Sequence, residues 1–274
     1  MNSKAFGRTG RSVSEIGMGT YYDPLWIATA FAGWRREAPR KIAAIKAGLS
    51  GGVTLVDTAE IYRSEPLVAE AIKDMRREDI FLATKAWSNH LHRDALKGAL
   101  EKSLRRLRTT YVDLYQVHFP NLRVPISETM AAMEDLVRGG KITHVGVSNF
   151  TIEQIKEANT SLPKSQLTSV QLSYNLLDRH VESEILPYCQ REGVALLAYF
   201  PLAHGRLASD PRLASLGMKY DKTASQVALR WLAGKEAVFP IPRASSLEHV
   251  TEDVNASGWE IARNEAAELE RTFS

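Results

Sequence analysis

The chain has 274 residues, 44% hydrophobic and 24% charged, a globular composition at a length that suits one closed barrel of typically ~250 residues. A formal net charge of only +3, with Arg105, Arg106 and Arg108 lacking aromatic neighbours, argues against nucleic acid and makes that run a solvated helix face. One cysteine, Cys189, excludes an internal disulfide and a sulfur-rich metal site, while the absence of any apolar stretch near ~20 residues or of an apolar leader after Met1 points away from membranes and to a cytoplasmic location.

In chain order, Lys4–Phe6 and Ser12–Ser14 flank Gly7-Arg8-Thr9-Gly10, which reads as a hairpin. A short β-rich run followed by a helical pattern then recurs eight times. The runs are Glu15–Thr20, Val53–Asp57, Ile80–Lys85, Tyr111–His118, Ile142–Ser148, Ser169–Tyr174, Val194–Tyr199 and Ala237–Pro242. Strand–helix alternation predicts βαβ units and a parallel sheet whose strands are covered on both faces. Between the runs, Thr151 with Gln154 and Ser245 with Glu248 have the spacing of capping boxes. Met130, Met133, Leu136 and Val137 share a helical face that Gly139-Gly140 ends. Nothing divides the chain, so residues 1–274 are expected to form one domain.

An open doubly wound sheet is the competing architecture. Against it, Gly17-Met18-Gly19 is followed by Tyr22 where a dinucleotide fingerprint requires glycine, and no phosphate-loop motif is present. The fold class expected is therefore α/β, a (β/α)8 TIM barrel with the N-terminal β-hairpin closing its bottom.

Barrel enzymes carry their chemistry at the C-terminal ends of the strands. There the sequence places Asp57 with Tyr62, Lys85, His118, Ser148-Asn149, Gln171 with Tyr174-Asn175, and Tyr199. Each alone has an ordinary explanation, as a cap, a surface lysine or a structural histidine. Together on successive strands of one rim they converge on a centre. A phenol with a pKa near ~10 is a weak acid at neutral pH, and a neighbouring ammonium is expected to bring it closer to the working range. Asp57 would hold Lys85 charged. A neutral His118 could donate a hydrogen bond to a carbonyl oxygen. Such a set protonates an alkoxide as hydride reaches carbon, and hydride requires a cofactor. No metal cage is apparent, and His90-Leu91-His92 reads as surface.

These residues resemble the aldo-keto reductase family, of the short-loop prokaryotic type, over essentially the whole chain. The resemblance rests on Val56-Asp57-Thr58-Ala59-Glu60-Ile61-Tyr62, Thr84-Lys85, Tyr111-Val112-Asp113-Leu114-Tyr115-Gln116-Val117-His118, Gly140-Lys141-Ile142, Val145-Gly146-Val147-Ser148-Asn149-Phe150, Gln171 and Tyr199-Phe200-Pro201-Leu202. It implies an Asp57, Tyr62, Lys85, His118 tetrad and NADP(H) lying extended across the barrel mouth. By the same resemblance Ser148, Asn149 and Gln171 would hold the carboxamide, with Tyr199 stacked on the nicotinamide and Gly19, Thr20 and Asp57 near its ribose. Phe200 and Leu202 would line the pyrophosphate, and Arg243, Ser245, His249, Glu252 and Asp253 the adenosine end.

The chain departs from the family pattern in four places. Arg243-Ala244 stands where Lys-Ser is frequent, His249 where arginine is frequent, Asp253 where asparagine is usual, and Phe200 where serine is common. Arg243 still presents a charged fork for a phosphate, which favours NADP(H) and leaves NAD(H) use open. Tyr21, Trp26, Trp87 and Phe119 are expected to wall the substrate site. The short segment Phe119–Ser127 and the short stretch before Ser274 imply an open, apolar pocket for varied aldehydes or ketones, in a monomer or weak oligomer. Two other classes fit parts of the pattern: a non-catalytic NADP(H)-binding regulatory subunit of the same fold, and a barrel isomerase or aldolase with Lys85 as a Schiff-base amine. The second leaves Ser148-Asn149 and Gln171 unexplained.

Overall fold

A computed structural model describes residues 1–34, 37–243 and 245–273. The hairpin is β1 (Ser3–Ala5) paired antiparallel with β2 (Ser12–Ser14). The barrel strands follow as β3 (Met18–Gly19), β4 (Leu55–Asp57), β5 (Phe81–Ala86), β6 (Val112–Val117), β7 (Ile142–Ser148), β8 (Leu167–Ser173), β9 (Ala195–Tyr199) and β10 (Val238–Pro240). All eight are parallel and pair in sequence order. The eight predicted runs each contain or overlap one of them.

Closure rests on glycine. Gly17 N donates to Pro240 O at 2.9 Å and Gly19 N to Pro242 O at 2.8 Å, joining β3 to the chain at β10. A Cβ on Gly19 would stand 2.9 Å from the carbonyl oxygen of Ile241, so any side chain there would push the first and last strands apart. At the bottom, the hairpin inserts Phe6 between Phe81 and Phe239, with ring centroids 4.6 and 5.0 Å away. Phe6 joins Val13, Leu55, Leu114, Leu197 and Ile241 in the apolar filling of the barrel, so the interior is a packed core.

The helices are α1 (Pro24–Phe31), α2 (Ala38–Ser50), α3 (Glu65–Ile72), α4 (Arg93–Leu107), α5 (Ile126–Arg138), α6 (Ile152–Thr160), α7 (Ile185–Glu192), α8 (Pro211–Met218), α9 (Ala224–Ala233), α10 (Leu247–Val254) and α11 (Arg263–Thr272). Their buried faces and the outward faces of the strands form the larger apolar cluster. The capping box of Thr151 and Gln154 starts α6 as expected. The other box is displaced: Ser246, not Ser245, caps α10, accepting from His249 N at 3.3 Å. Capping depends on which residue adopts the extended conformation before the helix, and that is Ser246. Cys189 is fully buried on α7, where desolvation pushes its thiol up to about 12. Among the described residues no helix is long and apolar enough to cross a membrane.

Candidate active site

Asp57 ends β4, and the chain then turns through a single 3-10 turn, Glu60–Tyr62, that swings Tyr62 back over the barrel mouth. Lys85 comes from β5 and His118 from the residue after β6. The Lys85 ammonium donates to Asp57 Oδ2 at 2.5 Å and to the Thr58 carbonyl at 3.0 Å, with neither side chain more than 3% exposed. It also lies 4.9 Å from the centre of the Tyr62 ring. Asp57 Oδ1 accepts the amides of Gln171 at 2.9 Å and Gln116 at 3.3 Å. The Tyr62 hydroxyl and His118 Nε2 are 3.2 Å apart. Tertiary folding thus brings the four rim residues into one cluster.

The electrostatics differ from the expectation for Tyr62. Burial holds its phenol well above the ordinary value near 10, with Asp57, Tyr199 and Tyr21 adding to the effect. Lys85 donates to Asp57 and Thr58, and desolvation is the largest effect on Tyr62. Burial also pulls the Lys85 ammonium down, against the raising pull of Asp57. His118 is lowered to about 2, first by desolvation and then by Lys85, so its imidazole is neutral at any working pH. Its Nδ1 is buried and has no hydrogen-bond partner among the described residues.

Next to this cluster, the Asn149 amide donates to the His118 carbonyl at 2.9 Å and to Ser148 Oγ at 3.0 Å, and its oxygen accepts from the Tyr199 hydroxyl at 2.8 Å. Asn149 is left-handed, with φ of 61°, a conformation that asparagine tolerates better than most residues. The Ser148 hydroxyl donates to the Gln171 carbonyl at 3.0 Å. From Asp57 and Tyr62 a groove of about 590 Å³ runs past Gly19, Tyr21, Gln171, Tyr199, Phe200 and Leu202 to Arg243, Ser245, His249, Glu252 and Asp253. A cleft that long, ionisable at one end and ending in Arg243 and two acids, has the form of a site for an extended charged ligand.

The family model for the Aldo/keto reductase family matches residues 15–272. The chain belongs to that family. It is 33% identical to methylglyoxal reductase YeaE of Escherichia coli (strain K12) over 270 residues, covering 96% of this chain and 92% of the relative. It is 30% identical to a glyoxal reductase of Bacillus subtilis (strain 168) over 228 residues, 82% of this chain and 81% of the relative. Among solved structures, a thermostable aldo-keto reductase, Tm1743, bound to the inhibitor epalrestat is similar with a TM-score of 0.90 at 35% identity, covering all of both chains. An aldo/keto reductase from Klebsiella pneumoniae in complex with NADP and acetate gives 0.88 at 31% identity, covering 100% of this chain and 96% of that one.

Within this aldo/keto reductase, Thr20 and Trp26 sit elsewhere than the sequence suggested. Thr20 does not line the groove: it is fully buried, and its hydroxyl bonds to the Asp57 carbonyl and Ser64 Oγ, both at 3.0 Å. Trp26 is a buried brace, its Nε1 donating to the Tyr62 carbonyl at 3.1 Å and its ring packed on Tyr22. Trp87 and Phe119 pack on the His118 ring at 5.2 and 5.1 Å, beside the tetrad and outside the long groove. His90 pairs with Glu60 at 2.9 Å, and the exposed His92 with Glu128 at 3.0 Å. The Arg243 guanidinium donates to the Tyr22 carbonyl. Ala244 and Ser274 lie outside the described residues.

Sequence reasoning missed His204 and Ser225, which also line the groove. The His204 ring packs tilted against Phe200, with centroids 3.9 Å apart, and both residues have positive φ, as does Ala203. Three non-glycine residues in that conformation within five positions mark a strained loop. No local signal announces it, because the pattern Phe-Pro-Leu-Ala-His contains no glycine. Gln116 was visible only as part of a motif, and its bond to Asp57 emerges when β4 and β6 meet inside the barrel.

Proposed function

We propose that this aldo/keto reductase reduces aldehydes or ketones to alcohols with NADP(H), and that Tyr62 delivers the proton to the carbonyl oxygen. The observation that carries the reading is the convergence of the Tyr62 hydroxyl and His118 Nε2 at 3.2 Å at one end of a groove ending in Arg243, Glu252 and Asp253. The residues present suit the cofactor. Gln171 commits its amide N–H to Asp57, which leaves its oxygen to accept from a carboxamide. Ser148 and Asn149 adjoin it, Tyr199 offers a ring face, and Arg243 a charged fork for a 2′-phosphate. Bound NADPH supplies the hydride.

The chain's own part is to place the carbonyl and manage one proton. Tyr62 is held firmly protonated, and an alkoxide is a far stronger base than a phenolate, so transfer from Tyr62 runs downhill even from a poorly acidic phenol. Neutral His118 is placed to hydrogen-bond the same oxygen and stabilise charge developing on it. The Lys85–Asp57 pair fixes an ammonium 4.9 Å from the centre of the Tyr62 ring, while its carboxylate works against a phenolate there. Residues 1–274 are read as one catalytic unit, working as a monomer or weak oligomer on small-molecule carbonyls.

The test is NADPH-dependent turnover of nitrobenzaldehyde, methylglyoxal and glyoxal, the last two suggested by the names of two relatives. Tyr62→Phe should lower kcat by about 10²- to 10⁴-fold while NADPH still binds. Turnover near that of the parent enzyme would remove Tyr62 from the role. Tight NADPH binding with no turnover over the whole panel would favour a cofactor-binding regulatory subunit instead.

A further inference from the structure

Glu60 shares the 3-10 turn with Tyr62 but takes no part in the tetrad. Its side chain turns toward the loop after β5 and is only 10% exposed. There its Oε1 accepts the backbone N–H of Trp87 and lies 2.9 Å from His90 Nδ1. A carboxylate taken out of water is costly unless bonded, and both contacts fall on the same oxygen, Oε1. Trp87 is the first residue beyond β5, where the ladder hydrogen bonds have ended, so its N–H has no strand partner and Glu60 supplies one.

What Trp87 touches gives this bond its consequence. The Trp87 ring stands edge-on to His118, with centroids 5.2 Å apart and planes at 90°, and edge-on to Phe119 at 5.5 Å. Phe119 stacks on the His118 ring at 5.1 Å and 16°, so the three rings form one mutually packed cluster. The Asn121 amide donates to the Ser88 carbonyl at 2.9 Å, tying the loops after β5 and β6 together. The contacts form a circuit from the Tyr62 turn through Glu60 to Trp87, from Trp87 to His118, and from His118 Nε2 back to the Tyr62 hydroxyl. Among the described residues His118 Nδ1 has no hydrogen-bond partner, so ring packing and the Nε2 contact with Tyr62 orient the imidazole.

We propose that Glu60 is a positioning residue: its bond to the Trp87 backbone sets the aromatic wall that holds His118 opposite Tyr62 and borders the substrate. The proposal rests on the carbonyl-reduction reading above. A charge-assisted bond suits the task because it is short and strong, and displacement of a reacting geometry by about 1 Å can cost on the order of 10²-fold in rate. Glu60 does not line the long groove, so the cofactor should be indifferent to it.

The experiment is a double-mutant cycle on the full-length enzyme, using steady-state reduction of nitrobenzaldehyde and NADPH affinity by fluorescence titration. Glu60→Ala should lower kcat/KM by about 10- to 100-fold, raising KM and lowering kcat, with NADPH affinity within about twofold of the parent. Glu60→Gln, whose amide oxygen still accepts the Trp87 N–H, should recover most of the loss. In a Trp87→Ala background the Glu60→Ala effect should nearly vanish. Should Glu60→Ala not fold, Glu60→Asp, which keeps the charge but loses reach, takes its place in the cycle with the same expectation. Additive losses from Glu60 and Trp87, an unaffected Glu60 variant, or a loss seen in NADPH affinity would each overturn the proposal. If Tyr62→Phe also remains active, the reduction reading itself fails; additivity alongside an inactive Tyr62→Phe removes only the role of Glu60.

Discussion

Lys85 and Asp57 form an ion pair 2.5 Å across, with the ammonium fully buried and the carboxylate nearly so. The pair is held in a web of polar donors from β6 and β8: Gln116 and Gln171 both reach the second carboxylate oxygen, and Ser169 Oγ donates to Gln116 at 3.4 Å. Gly146 makes room for that web, since a Cβ there would meet Ser169 Oγ at 2.3 Å and Gln116 Cγ at 2.9 Å. Burial of this order makes the pair a rigid feature 4.9 Å from the centre of the Tyr62 ring.

Removing one member of a buried pair strands its partner. Lys85→Met should destabilise the fold by about 3–5 kcal/mol, which for a chain of this size is a fall in Tm of roughly 6–20 °C. Differential scanning calorimetry measures it directly. An unchanged Tm would mean that solvent reaches Asp57.

The acid limb of the pH–rate profile tests His118. With its pKa lowered to about 2 by desolvation and Lys85, it stays neutral where an ordinary histidine, near ~6.5, would take up a proton. Protonation therefore removes no hydrogen-bond function across the working range. kcat/KM should show no His118 ionisation between pH 5 and 8. An ionisation in that interval that disappears in His118→Asn would contradict this.

Asp253 is 8% exposed at the adenosine end of the groove, and burial first, Glu252 second, raises its carboxyl well above the ordinary value. In the unfolded chain it ionises near ~3.9; in the folded chain it keeps its proton to higher pH. Above pH 4 the folded state therefore binds more protons, and stability falls as pH rises, by up to about 1.4 kcal/mol per pH unit until the folded value is reached. Asp253→Asn removes the liability, because the amide never ionises. The variant should melt higher than the parent at pH 8, with the gap closing toward pH 4. A gap independent of pH would show that the carboxyl is not the cause.

Arg243 is the cation at the far end of the groove, anchored on the Tyr22 carbonyl. Loss of a charged hydrogen-bond partner to a phosphate is worth about 1.5–3 kcal/mol. Arg243→Ala should weaken NADPH binding by about 10- to 100-fold and leave NADH binding within about threefold, as read by titration with each dinucleotide. Equal losses for the two would place Arg243 away from the 2′-phosphate.

Much of this molecule could be read from the chain alone. Alternating strand and helix patterns follow from side-chain periodicity, and the rule that barrel chemistry sits at strand ends picks out Asp57, Lys85 and His118 without coordinates. Thr151 with Gln154 is a local cap, settled within four residues. The adjacent prediction at Ser245 slipped by one residue because backbone conformation ahead of α10 chooses the cap.

What only the tertiary structure decided concerns distance and dryness. Side-chain types specified a phenol, an amine, a carboxyl and an imidazole on one rim, since those identities and their strand positions are properties of the chain. That Tyr62 holds its proton more tightly than a free phenol, contrary to expectation, follows from burial by residues remote in sequence and from the nearby Asp57 carboxylate. The same holds for Glu60 reaching Trp87, 27 positions away, and for Thr20 and Trp26 turning out to be braces. Local pattern carries periodicity and chemistry; desolvation and contact arise only when the eight strands close.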